Sequence, residues 1–109
     1  MSAADTLMPM TTESTGGQAA RDRTPEALAF AAQLRAERAA AGMSQDDLVA
    51  ATGISKSAIA RIETGARVMD TAQLGKFCRA FGISIATFAV RADERMRAET
   101  EQRPARRHA

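Results

Sequence analysis

Lys56, Ser57, Ala60, Arg61 and Thr64 recur at i, i+1, i+4, i+5 and i+8, the spacing that lines up one face of a helix. Ile59 and Ile62 fall on the other side. The outward set has the chemistry of a base-pair edge. A lysine ammonium can donate to guanine O6 and N7, an arginine fork can engage the same two atoms bidentately, a serine hydroxyl pairs with several bases, and an alanine methyl can rest on thymine. Ser55 flanks this surface, so the candidate base-reading set is Ser55, Lys56, Ser57, Ala60 and Arg61. Arg67, just past Gly65, stands where it can meet a phosphate.

Such a face is useful only if neighbouring elements hold it outward. Ser44 can cap a helix, with Asp47 three residues on in the place of a capping-box acid and Leu48 facing inward. Gly53 can take the positive φ of a tight turn, and Ser55 can cap the next helix. Residues 44–65 therefore read as two short capped helices joined by a glycine turn, a helix-turn-helix. In that motif the second helix enters the DNA major groove while the first crosses the backbone.

The wider pattern is Leu34-Arg35-x-x-Arg38, Gly42-Met43-Ser44-Gln45, Leu48, Gly53-Ile54-Ser55, Ile59, Ile62-Glu63 and Gly65, then Leu74, Phe77 and Phe81-Gly82-Ile83-Ser84. Over about residues 28–88 it resembles the phage repressor/Cro-type (XRE-like) helix-turn-helix family. The departures cluster after Glu63, where Thr64, Met69, Thr71 and Gly75 replace residues more usual there. The resemblance implies an all-α bundle of about five helices. It places Lys56 and Ser57 where the family reaches bases, and Gln45 where its glutamine clamps a phosphate while touching the start of the recognition helix. It also implies an ion pair between Arg38 and Glu63. Ile62 beside Glu63 puts that carboxylate near the core, where a charge needs a partner. Arg38 can make a second contact to phosphate, whereas Arg35 reads as a solvated residue.

Outside the motif the chain divides into an arm at residues 1–23, a DNA-binding domain at 24–90, and a helical extension with a basic tail at 91–109. The arm mixes Ser, Thr, Gly and Ala without periodicity and is expected to be disordered, with Arg21 and Arg23 as lead-in residues. Thr24-Pro25-Glu26 starts a helix that Gly42 stops. Asp70 or Thr71 starts a fourth, with Leu74, Phe77, Cys78 and Phe81 inward and Gly75 either at a close helix approach or simply tolerated. Ile85 and Phe88 seal the bundle from a fifth segment, which continues through a charged stretch until Pro104 ends it.

Composition narrows the function classes. Fifteen basic against 13 acidic residues is too balanced to indicate nucleic-acid binding from net charge alone. The one histidine, His108, sits in the basic tail, and no glycine-rich phosphate loop or Cys/His cluster occurs, which argues against an enzyme and against any metal or cofactor. Asp46 and Asp47 diverge around their helix and are explained by its dipole rather than by a metal. Cys78, on the apolar stripe, reads as a buried small hydrophobe. No membrane span or signal peptide is indicated, so the cytoplasm is expected.

The expected function is sequence-specific binding of a double-stranded DNA operator by a homodimer that represses transcription, with no separate effector domain. Ile85, Phe88 and Val90 form the expected dimer interface, and the charged extension lies outside the core, so the fold should survive its removal. The alternative is an antitoxin that binds a protein toxin through its C-terminal segment and represses its own operon.

Overall fold

In the computed structural model, which describes residues 23–108 and their side chains through Glu101, the regular structure is entirely helical. Arg21 and the rest of the expected arm, except Arg23, lie outside the described residues, as do the tail side chains of Arg103, Arg106, Arg107 and His108. Five helices follow one another: α1 Pro25–Ala40, α2 Gln45–Thr52, α3 Lys56–Glu63, α4 Thr71–Phe81 and α5 Ile85–His108. This is the all-α bundle the sequence pattern predicts.

Each helix start has a local cause. The Thr24 side chain accepts from the Ala27 N–H ahead of Pro25, and Ser84 Oγ accepts from the Thr87 N–H at the head of α5. Ser44 and Asp47 form a reciprocal capping box, and Asp70 forms a second one with Gln73. The α2–α3 turn depends on Gly53, whose φ of 76° is left-handed and closes α2 through a bond from its N–H to the Val49 carbonyl. Gly65 has a different reason to be glycine. Its φ is 81°, and a Cβ there would meet Leu28 Cδ2 of α1 at 2.8 Å.

The core is built from Leu34, Leu48, Ile59, Ile62, Phe77 and Phe88, all fully buried, with Ile54, Met69 and Cys78 beside them. Burial pushes the Cys78 thiol up from its ordinary value, as suits an inert core group.

Four expectations change. Phe88 is 0% exposed and stacks at a tilt on Phe30 with ring centroids 5.7 Å apart, so it belongs to the monomer core and has no surface to offer a second copy. Ile85 does not seal the bundle, being 46% exposed. Core burial does not stop at Val90, because Ala92 is 0% exposed in the same cluster. Finally, α5 runs through Pro104 to His108. A proline gives up its own amide bond and crowds the carbonyl four residues back, that of Thr100, and Thr100 is exposed, so water can satisfy that carbonyl. Gly75 turns out to be tolerated rather than required, since a Cβ there would make ordinary contact with Ile85 Cδ1 at 3.9 Å.

Candidate nucleic-acid interface

The α3 helix has two faces with opposite duties. Ala58, Ile59, Ile62 and Glu63 are buried against the bundle, while Ser55, Lys56, Ser57, Arg61 and Thr64 are exposed and Ala60 is half-buried. The structure therefore brings the five sequence-derived base-reading candidates onto one surface. Ser55 Oγ caps the helix by accepting from the Ala58 N–H, and it lies 3.5 Å from Ser57 Oγ, so the two hydroxyls share a long contact on this face. Among the described residues the Arg61 and Arg67 guanidiniums have no side-chain partner, and both are exposed. Lys56 does have one, since its Nζ lies 3.1 Å from Asp46 Oδ1 on α2.

The opposite end of α3 is held by a cluster around Glu63. Arg38 Nε donates to Glu63 Oε2 at 2.7 Å and its NH2 to Oε1 at 3.2 Å, a forked contact that also raises the Arg38 pKa through hydrogen bonding and charge against the opposing effect of burial. Its NH1 donates to the Met43 carbonyl at 2.9 Å, across the α1–α2 turn. Three nitrogens are thus engaged internally, so Arg38 reaches a phosphate only with its two remaining N–H groups.

Gln45 Nε2 donates to Glu63 Oε1 at 2.9 Å. Its amide therefore touches the end of α3, not the start as the family resemblance implies. The reason is that buried Glu63 needs a donor for each oxygen, and the first turn of α2 lies within reach. The Gln45 amide still keeps one N–H and its oxygen for other partners.

Two arginines that sequence reasoning gave no structural role complete the cluster. Arg35 NH1 donates to the Glu63 main-chain carbonyl, and Arg23 Nε donates to the Thr64 carbonyl at 3.3 Å. Arg35 is thus not a freely solvated residue. Both cations sit at the negative end of the α3 dipole, where the last carbonyls lack partners in the helix. Arg35 and Arg38, three apart on α1, share one side of that helix, which is the signal that could have paired them.

A further polar cluster ties α1 to α5. Gln33 Nε2 donates to Glu37 Oε2 at 2.7 Å, Arg91 NH1 reaches the same oxygen at 2.6 Å, and Arg95 Nε donates to Gln33 Oε1 at 2.6 Å. No described buried polar side-chain atom is left without a partner. Among the described residues no group of three or more His, Cys, Asp or Glu is placed to hold a metal ion, and no helix is long and apolar enough to cross a membrane.

Comparisons with known proteins agree with this geometry. A family profile described as a helix-turn-helix domain matches residues 29–90. Among solved structures, the clp gene regulator ClgR from Corynebacterium glutamicum superposes with a TM-score of 0.71 at 27% identity, covering 75% of this chain and 87% of that one. No curated protein matches. With the profile spanning more than half of the chain, and α2, Gly53 and α3 forming its two-helix element, the protein belongs to the helix-turn-helix domain family of the phage repressor (XRE-like) type.

Proposed function

We propose that the protein is a transcriptional regulator that binds a double-stranded DNA operator sequence-specifically, as a homodimer, and represses by occupying it. The observation that carries this reading is the division of α3: its inner face and C-terminal end are locked by buried groups, while its outer face presents the exposed side chains of Lys56, Ser57 and Arg61. A helix so held can enter a major groove as a rigid probe, with its N-terminal residues at base edges. Gln45 and Arg67 would supply phosphate contacts that set register.

Similarity to ClgR, a gene regulator, supports the regulatory part of the reading. The dimer rests on a size argument, because one such module makes few base contacts and two bind half-sites about 34 Å apart. Ile85 and Val90, both large, apolar and exposed on α5, are the residues proposed to meet a second copy.

Selection from a random duplex library, followed by footprinting on the DNA upstream of its own gene, tests the proposal. The expected result is a two-half-site motif whose affinity falls steeply with salt. Retention of no motif, or binding equal on all duplexes, would refute sequence-specific regulation.

A further inference from the structure

Lys56, in the first turn of the exposed α3 face, is not a free cation. Its ammonium is 3.1 Å from Asp46 Oδ1, and the two side chains are 60% and 77% exposed. An ion pair this wet adds little to stability. Asp47 next door serves the capping box, but Asp46 makes no other side-chain hydrogen bond or ion pair among the described residues. The pair joins the two helices of the motif at the end that faces DNA in the proposed docking.

We infer that Asp46 is a specificity-determining residue: it holds the Lys56 ammonium over the base-reading face and withholds it from phosphates. This rests on the function proposed above. An ammonium has three N–H groups, and with one on Asp46 two remain, enough for guanine O6 and N7 without breaking the pair. A phosphate is a poorer exchange. Whether Lys56 keeps Asp46 or leaves it, a phosphate contact brings the Asp46 carboxylate beside a polyanion, where like charges repel. The pair therefore taxes sequence-independent binding more than base reading, and it favours a G·C pair at the position Lys56 faces.

The test compares wild type, Asp46→Asn, Lys56→Met and the double variant by fluorescence anisotropy on the selected duplex and on a scrambled duplex of equal length. Circular dichroism verifies that each variant is folded. Asp46→Asn is expected to strengthen scrambled-DNA binding about two- to fivefold more than selected-duplex binding. The same variant should steepen the salt dependence on scrambled DNA by about one unit of log K per log salt. Preference for G·C at one position per half-site should relax, and these changes should vanish in the Lys56→Met background. Equal strengthening on both duplexes, or the same gain without Lys56, would overturn the inference by reducing Asp46 to a general negative charge. If wild type discriminates between no duplexes, the function proposed above fails and this inference falls with it. Discrimination by wild type with no effect of Asp46→Asn overturns this inference alone.

Discussion

Arg38 and Glu63 fix the C-terminal end of α3 by a forked ion pair. Glu63 is buried and takes donors from Arg38 and Gln45, so Arg38→Ala leaves a buried carboxylate with one side-chain donor. Breaking a buried pair from one side costs about 3–5 kcal/mol, and because Arg38 retains some exposure the loss should lie near about 3 kcal/mol. Urea unfolding of Arg38→Ala, Glu63→Ala and the double variant measures this. Additive losses would mean that the pair is not coupled. Asp47 makes a separate, pH-dependent contribution. The Ser44 backbone N–H first, and the Ser44 hydroxyl second, hold its carboxyl below the ordinary 3.8. A folded value lower than the unfolded one means the capping box stabilises fully above that ordinary value and loses its contribution as pH falls through the folded value. An NMR titration of the Asp47 carboxyl should have its midpoint below 3.8, and a midpoint at or above it would contradict the capping role.

At the scale of elements, α1 and α5 are joined by more than apolar contact. Arg91 meets buried Glu37, Arg95 meets buried Gln33, and Ala92 is enclosed between them in the sequence. Removing residues 91–109 takes away the cation that partners Glu37 and opens space where Ala92 sat. The truncated chain should therefore lose at least about 2 kcal/mol, the reverse of what a core ending at Val90 predicts. Deleting only residues 97–109 spares this cluster and should leave thermal unfolding within a few degrees of the full chain. Equal melting of the two truncations would show that the α1–α5 cluster adds nothing. The α3–α4 joint has its own sensitive point. Gly65→Ala forces an L side chain to a φ of 81° and against Leu28, so a loss of about 1–3 kcal/mol is expected in the same unfolding assay.

For the whole molecule, the question is how two reading helices would be set apart. Phe88 is committed to the core, so only Ile85 and Val90 of the expected interface residues can face a partner. Because both are exposed, Val90→Glu should change monomer stability by no more than about 0.5 kcal/mol while shifting the proposed dimer to monomer in sedimentation. Affinity for a two-half-site duplex should then fall toward that for one half-site, since the second contact loses its effective-concentration advantage. A dimer that survives both Ile85→Glu and Val90→Glu uses another surface.

Much of this was legible in the chain because its signals are short-range. Caps at Thr24, Ser44, Ser55 and Asp70, the turn at Gly53 and the outward spacing of Lys56, Ser57 and Arg61 are each decided within about four residues, by hydrogen-bond geometry and helical period. Those features were enough to place the helices and to put the candidate reading face on α3. The tertiary structure alone decided which polar groups meet across long stretches of sequence: Arg35 with the Glu63 carbonyl, Gln45 with the end rather than the start of α3, Glu37 with Arg91, and Lys56 with Asp46. It also separated Ile85 from Phe88, which the sequence placed both in the bundle seal and in the dimer interface: Phe88 is core alone and Ile85 is exposed. Periodicity reports which side of a helix is apolar, but burial and ion pairing depend on how the helices cross, and no local pattern encodes that angle.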